Sequence, residues 1–135
     1  MITISHLTKV YGELKAVDDF SLAVGSGEIV GLIGPNGAGK TSTLRCIVGI
    51  QTPSAGTISI DGHDIGGDPV AAKRRLAFMA DEPHLFDYLT VEEHLRFVGR
   101  LYQVADVDSR IPRLLTELDL ESKRAALHSR VKMLR

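Results

Sequence analysis

Eight consecutive residues carry the clearest chemistry in this sequence of 135 residues. They are Gly34, Pro35, Asn36, Gly37, Ala38, Gly39, Lys40 and Thr41, and they fit the pattern G-x-x-x-x-G-K-[S/T]. Glycines let a loop approach an anion with its backbone N–H groups turned inward, because no Cβ stands in the way. The Lys40 ammonium then offers a positive charge to phosphate oxygens, and the Thr41 hydroxyl can ligate Mg²⁺. The spacing therefore predicts a site for a nucleoside triphosphate.

The alternative is a glycine-rich turn between two elements, with Lys40 in solvent. The flanking sequence favours the binding loop. Residues 28–34 are almost continuously apolar, which is typical of a strand buried on both faces of a sheet. Residues 40–50 predict a helix whose Leu44 and Val48, with Ile47, face that sheet. A buried strand, a loop and a helix in this order are the setting in which such loops bind phosphate.

Other segments of the first half predict strands. Three of them alternate apolar and polar side chains, as strands with one buried face do: residues 2–5, 17–24 (with Phe20, Leu22 and Val24 on one face) and 57–60. A turn at Asp61 and Gly62 closes the third. Residues 75–80 are mostly apolar and predict a further buried strand, and residues 81–89 predict a loop.

The sequence after residue 89 predicts helices. Thr90 is followed three residues later by a glutamate, the spacing of a capping box. Apolar residues then recur at helical spacing over residues 91–102 and 111–118, where Pro112 is tolerable in a first turn. Residues 121–127 predict a short third helix. Strands, a strand-loop-helix unit and then a helical block predict an α/β or mixed architecture.

Composition narrows the classes of partner. Lys and Arg number 16 and Asp and Glu number 17, so nucleic acid is not expected as a partner. The sole cysteine, Cys46, rules out an internal disulfide, and a small buried side chain is expected there. No apolar run approaches the roughly 18 residues that cross a bilayer, and the first residues lack the pattern of a signal peptide. A cytosolic chain that reaches a membrane only through a partner is expected.

Several segments in a fixed order resemble the ATP-binding cassette (ABC) ATPases. Residues 34–43 resemble their Walker A segment, residues 7–12 the A-loop, residues 16–22 and 56–62 the flanking strands, and residues 81–86 and 89–95 the Q-loop and the start of the helical subdomain. The resemblance implies a P-loop NTPase fold of ABC type, which is α/β with a mixed β core. It implies an ATP-binding core at residues 1–80, a Q-loop region at 81–89 and part of an α-helical subdomain at 90–135.

The resemblance also implies site residues for ATP and Mg²⁺. Tyr11 would stack on adenine, with a simple turn tyrosine as the alternative, and Val17 would line the base or ribose side. The phosphates and the metal would be held by residues 34–41, above all Gly37, Gly39, Lys40 and Thr41, with Ser42 near the α-phosphate. Asp81 stands where the family has glutamine. It would contact Mg²⁺ directly or through water, or lie in solvent as a loop acid.

By resemblance the chain is the ATP-binding subunit, or a fragment of one, of an ABC transporter of bacterial export type. A membrane-spanning subunit and a second nucleotide-binding domain would be its partners, on the cytoplasmic face of the membrane. Residues 83–89 would meet the membrane subunit through Leu85, Phe86 and Tyr88, unless these three pack internally. A soluble ABC ATPase of translation or DNA repair is an alternative. A P-loop kinase or GTPase is another, but the sequence has no phosphoacceptor site and no Asn-Lys-x-Asp.

The sequence departs from the family at its last residues. Residues 130–135 stand where the signature L-S-G-G-Q is expected to begin, and the Walker B carboxylates, the D-loop and the switch histidine are not found. The histidines are expected at the surface: His6, His63, His84, His94 and His128. No catalytic residue is therefore assigned, and the 135 residues alone are predicted to bind ATP without turning it over. Without a Walker B strand, the strand around Leu32 is predicted to expose apolar surface.

Overall fold

The computed structural model describes residues 1–81 and 85–127, which fall into two compact units, Met1–Phe78 and Met79–Arg135. The elements of the first unit are β1 (Ile2–Tyr11), β2 (Leu14–Val24), α1 (Lys40–Ile47), β3 (Ala55–Ile60), β4 (His63–Asp64) and α2 (Pro69–Lys73). Those of the second are α3 (Val91–Leu101), α4 (Val107–Glu117) and a short 3-10 helix at Glu121–Lys123. The predicted order of strands, a strand-loop-helix unit and a helical block is confirmed except for the strand before the loop, which is not formed.

An antiparallel sheet of four strands in the order β2-β1-β3-β4 organises the first unit. β1 extends well beyond the predicted residues 2–5, since it pairs with β2 as far as Tyr11 opposite Leu14. Its pairing with both neighbours shifts register after Ile4 and Ser5, around His6, whose φ is 52°. The β3–β4 turn has positive φ at both Asp61 (48°) and Gly62 (82°), which is the geometry of a two-residue type I′ hairpin.

The core of this unit lies between the sheet and the two helices α1 and α2. Its buried residues are Ile4, Leu7, Val17, Cys46, Ile58, Ile60, Ile65 and Ala72, with Phe20 and Leu22 packed against them. Cys46 is fully buried as predicted, and burial raises the pKa of its thiol. Leu44 was expected to face the sheet but is 44% exposed, because α1 turns Thr43 and Cys46 inward instead.

The end of α1 comes three residues before the predicted one. Gly49 has φ 65°, and its N–H donates to the carbonyl of Cys46 at 3.0 Å. The N–H of Ile50 donates to the carbonyl of Arg45 at 2.9 Å. These two bonds form a Schellman motif, which ends a helix at a residue in the left-handed conformation. Glycine is favoured there because a Cβ would strain the backbone.

The predicted buried strand at residues 28–34 is not formed. Its residues adopt no regular structure, and Ile29 and Ile33 are 100% and 94% exposed. A strand that is buried on both faces needs paired neighbours and covering helices, and none of the strands that the structure describes pairs with this segment. The exposure of apolar surface around Leu32, predicted for a strand without that neighbour, is confirmed. Residues 75–80 likewise form no strand, and Phe78 and Met79 are exposed.

The helices of the second unit follow the predicted pattern with two differences. The capping box at Thr90 and Glu93 is formed, with both reciprocal hydrogen bonds present. Pro112 lies in the interior of α4 and not in its first turn, so the carbonyl one turn earlier loses its helical donor. Of residues 121–127 only Glu121–Lys123 is helical, and Leu127 forms a β-bridge with Thr90.

Glu92 joins α3 to the segment that follows the 3-10 helix. Its carboxylate accepts two hydrogen bonds from Arg124, at 2.6 and 2.8 Å, and one from Arg96 at 2.9 Å. Arg96 also donates to Asp108 at the start of α4, at 2.6 Å. The hydrogen bonds from Arg124, followed by its charge and by Arg96, lower the pKa of Glu92 to about 2 from an ordinary 4.5.

This shift predicts a pH dependence for the second unit. Above pH 4.5 Glu92 is ionised both folded and unfolded, and its stabilising effect is complete. As the pH falls toward about 2 the unfolded state takes up a proton first, so the free energy of unfolding decreases. Hydrogen exchange of the α3 amides should show this decrease, and Glu92→Gln should flatten it over that range. An equal slope in both proteins would contradict the assignment.

None of the helices in the described ranges is long and apolar enough to span a bilayer.

Candidate functional site

The predicted phosphate loop leads into α1 through two glycines in the left-handed conformation. Gly37 has φ 83° and Gly39 has φ 81°. A Cβ on Gly39 would lie 2.3 Å from the carbonyl oxygen of Ala16, so only glycine lets the loop rest directly on β2. A Cβ on Gly37 would meet no atom within 4 Å, so this part of the loop borders open space from which a ligand can approach the backbone.

The start of α1 is suited to an anion. Gly39 is its N-cap and offers no side-chain acceptor to the first-turn N–H groups, and the first turn has no acidic residue. Such amides carry the partial positive charge of the helix N-terminus. Such a helix start can bind an anion, and the phosphate cradle that the sequence predicts here stays a prediction.

The Lys40 side chain folds back over this loop. Its Nζ donates to the carbonyl oxygens of Gly34 and Pro35, at 2.6 and 2.7 Å. An ammonium has three donors, of which these carbonyls use two. Lys40 is therefore held with its charge at the loop, and the solvated-lysine alternative is wrong.

A cleft of about 320 Å³ lies over the loop, within the size range of small-molecule sites. Its lining is Tyr11, Leu14, Ala16, Asn36, Gly37, Ala38, Gly39, Lys40, Thr41 and Ser42. Eight of these ten were predicted as site residues. Gly34 and Pro35 contribute their carbonyls to Lys40 instead. Val17 lies in the core with 8% of its surface exposed, and its neighbour Ala16 lines the cleft, so a contact of Val17 with a nucleotide stays a prediction.

Tyr11 also lines the cleft and is 40% exposed. Its hydroxyl donates to the side-chain amide oxygen of Gln51 and lies 3.3 Å from Ser42 Oγ. The Nζ of Lys9 lies 5.1 Å from the centre of its ring. Gln51 and Lys9 were not found from the sequence, since no local pattern relates a residue after α1 to the end of β1.

The sequence model of the ABC transporter family matches residues 17–134. The chain belongs to this family. The expected P-loop NTPase fold of ABC type is confirmed, and the kinase and GTPase alternatives are wrong. Proteins of this family bind nucleotide, which accords with the cleft.

Relatives of the chain include several ATP-binding proteins of ABC transporters. The SkfA peptide export ATP-binding protein SkfE of Bacillus subtilis is 38% identical over 125 residues, which are 91% of this chain and 52% of that protein. The ABC transporter ATP-binding protein NatA of the same organism is 40% identical over 107 residues, 76% of this chain and 44% of that protein. The chain thus spans about half the length of these relatives.

Solved structures of ABC transporter ATP-binding proteins are also similar to this chain. An ATP-binding subunit of an ABC transporter matches with a TM-score of 0.86 and 34% identity, over 93% of this chain and 53% of that one. A dimeric bacterial ABC transporter cassette matches with a TM-score of 0.79 and 25% identity, over 94% of this chain and 61% of that one.

The remaining residues that the ABC resemblance singled out lie in the second unit. Asp81 is exposed, and its contact with Mg²⁺ stays a prediction. No cluster of three or more possible metal ligands among His, Cys, Asp and Glu occurs within residues 1–81 and 85–127. Leu85, Phe86 and Tyr88 are exposed, although Phe86 also contacts Tyr88 and Phe97 with ring centres 5.6 and 5.5 Å apart.

The histidines divide into three groups. His6 is exposed, and the side chain of His63 retains 33% of its surface beside Asp68. His94 is a correction to the expected surface position, because it is half-buried in α3 and its Nε2 accepts the N–H of Phe86 at 2.8 Å. His84 and His128 lie outside the described residues, as do Glu82, Pro83 and the segment 128–135.

Proposed function

We propose that the chain forms the ATP-binding part of an ABC transporter subunit and binds Mg·ATP in the cleft between Tyr11 and the phosphate loop. The observation that carries the proposal is the placement of an exposed aromatic ring and a glycine-rich anion cradle on one cleft. A nucleoside triphosphate has an aromatic base at one end and a chain of negative charge at the other. The lining of the cleft offers both kinds of chemistry.

Charge and backbone geometry support the binding of phosphate at the glycine-rich loop. The first turn of α1, whose amides have no side-chain cap, and Lys40 both line the cleft. In this cradle a γ-phosphate competes with the carbonyls of Gly34 and Pro35 for the ammonium, and the charged acceptor makes the stronger hydrogen bond.

The proposed Mg²⁺ site rests on donor chemistry. Thr41 lines the cleft at the first turn of α1 and offers a hydroxyl oxygen, the hard type of ligand that Mg²⁺ prefers. Phosphate oxygens and several waters would complete its shell, because Mg²⁺ loses water reluctantly and in such sites is shared with the substrate. A bound Mg²⁺ would neutralise phosphate charge. Asp81 is the further candidate ligand.

The transport role rests on the relatives. SkfE is named as a peptide export ATP-binding protein, and the matched bacterial cassette is a dimer. We infer a membrane-spanning subunit and a second cassette as partners, with the chain at the cytoplasmic face of the membrane. The exposed Leu85, Phe86 and Tyr88 supply apolar surface in the second unit for the first of these contacts.

Removing the aromatic ring tests the proposal at the base end of the cleft. Tyr11→Ala should weaken ATP binding by about 1–3 kcal/mol, the usual scale of stacking between a base and an aromatic side chain. Equilibrium titration with fluorescent ATP in the presence of Mg²⁺ measures the change.

Tyr102→Ala is the matched control for this substitution. Tyr102 is 41% exposed, almost the same fraction as Tyr11, but it lies in the second unit and does not line the cleft. Its removal should leave the affinity unchanged. Equal affinities of wild type and Tyr11→Ala would contradict the stacking role, and absence of any ATP binding would contradict the proposed function itself.

A further inference from the structure

We infer that Gln51 is a positioning residue that fixes the ring of Tyr11 for recognition of the base. The inference rests on the proposed function, since it assigns one residue a part in ATP binding. Gln51 lies outside the phosphate loop, does not line the cleft and acts only through Tyr11.

The side chain of a tyrosine at a strand end can turn about its Cα–Cβ and Cβ–Cγ bonds. In this structure its tip is anchored: the Tyr11 hydroxyl donates to the amide oxygen of Gln51 and lies within 3.3 Å of Ser42 Oγ. An anchored tip holds the plane of the ring before a ligand arrives. Pre-organisation of this kind increases affinity by removing the cost of ordering the side chain on binding.

Gln51 is itself held from the helix that carries the phosphate cradle. Its backbone N–H donates to the carbonyl of Arg45 at 3.0 Å, as part of the hydrogen bonding that ends α1. The side chain is half-buried. The contact to Tyr11 therefore joins the end of α1 to the end of β1, while residues at the start of α1 line the same cleft as Tyr11.

The residues after Gln51 form further hydrogen bonds that connect the end of α1 to β1. The N–H of Ser54 donates to the carbonyl of Thr8 at 2.8 Å, and the N–H of Val10 donates to Ser54 Oγ at 3.0 Å. Lys9 donates to the carbonyl of Thr52 at 2.8 Å, and this bond places its Nζ over one face of the Tyr11 ring. A cation on one face leaves the base to stack on the other.

A positioning role for Gln51 predicts a specific pattern of ligand affinities. Gln51 touches the base-recognising ring but not the phosphate cradle, so its loss should affect ligands that carry a base and spare those that do not. A general structural role would weaken both kinds of ligand together. Inorganic tripolyphosphate is the matching ligand without a base.

The experiment compares Gln51→Leu, which removes the acceptor, with Gln51→Glu, which keeps one. Isothermal titration of each variant with ATP and with tripolyphosphate gives the affinities. Gln51→Leu should bind ATP about threefold to tenfold more weakly, the range for one hydrogen bond, with tripolyphosphate unchanged. Gln51→Glu should bind ATP like the wild type. In a Tyr11→Phe background, Gln51→Leu should have no further effect, because the hydroxyl it acts on is gone.

Three results would overturn the inference: an unchanged ATP affinity in Gln51→Leu, an equal loss for ATP and tripolyphosphate, or a full additional loss in the Tyr11→Phe background. Gln51→Asn, whose shorter side chain moves the amide away from Tyr11, replaces Gln51→Leu if the latter does not fold by circular dichroism. Lys40→Ala separates this inference from the proposed function. If Lys40→Ala weakens ATP binding while the Gln51 variants leave it intact, the inference alone is wrong. If the wild type binds neither ligand, both the inference and the proposed function are wrong.

Discussion

Lys40→Ala is expected to weaken ATP binding by about 1.5–3 kcal/mol, which is roughly ten- to a hundredfold in affinity. The ammonium is held at the cradle by the carbonyls of Gly34 and Pro35, so its charge is in place before the ligand binds. Alanine removes the charge-assisted hydrogen bond to phosphate oxygens. It also leaves those two carbonyls without their donor, which loosens the loop.

Titration with fluorescent ATP at fixed ionic strength measures this loss. Lys15→Ala is the control, because it also removes one positive charge from the first unit. Lys15 pairs with Asp18 at 3.0 Å, both side chains are more than half exposed, and Lys15 does not line the cleft. A similar loss in both variants would show that overall charge, and not the position of Lys40, determines the affinity.

The conformation of the glycine-rich loop was predictable because its determinants are local. The conformations of Gly37 and Gly39 and the direction of Lys40 are set within a few residues of each other. The capping box at Thr90 is local for the same reason, since its two partners are three residues apart.

Features that depend on distant neighbours were not predictable. The apolar residues 28–34 have the composition of a buried strand, but burial is a property of the strands beside it, and the described sheet provides none there. Of the α1 residues predicted to face the sheet, only Leu44 was wrong, for a related reason, while Val48 is buried and Ile47 packs against the core. The sheet beneath α1 accepts Thr43 and Cys46, while helical spacing alone fits Leu44 as well.

The contacts around Tyr11 also depend on residues that are distant in sequence. Ala16, and not Val17, lines the cleft because β2 turns alternate side chains to opposite faces, and only the pairing of Tyr11 with Leu14 fixes which face that is. Gln51 meets Tyr11 across a sequence separation of 40 residues. Family resemblance located Tyr11, but the residues that hold its ring became visible only in three dimensions.

Gly56→Ala is expected to destabilise the first unit by about 2–5 kcal/mol. Gly56 has φ 84°, which costs a residue with a Cβ about 1–2 kcal/mol. The added Cβ would also lie 2.3 Å from the carbonyl oxygen of His6 and 2.5 Å from that of Ser5. Backbone atoms cannot move aside as a side chain can, so overpacking adds about 1–3 kcal/mol. The pairing of β1 with β3 shifts register at Gly56, and β1 continues beyond this point to Tyr11.

Gly62→Ala is the matched control that separates the two contributions. Gly62 has nearly the same φ, 82°, but a Cβ there would meet nothing within 4 Å. Gly62→Ala should therefore lower the free energy of unfolding only by the conformational cost of a positive φ, about 1–2 kcal/mol. Urea unfolding gives the free energy of unfolding of both variants. Hydrogen exchange of the β1 and β3 amides shows whether the stability is lost in these two strands. If the two substitutions cost the same, the close packing of Gly56 on β1 does not determine stability, and the path of β1 toward Tyr11 must be fixed elsewhere, above all by the contacts of residues 51–54.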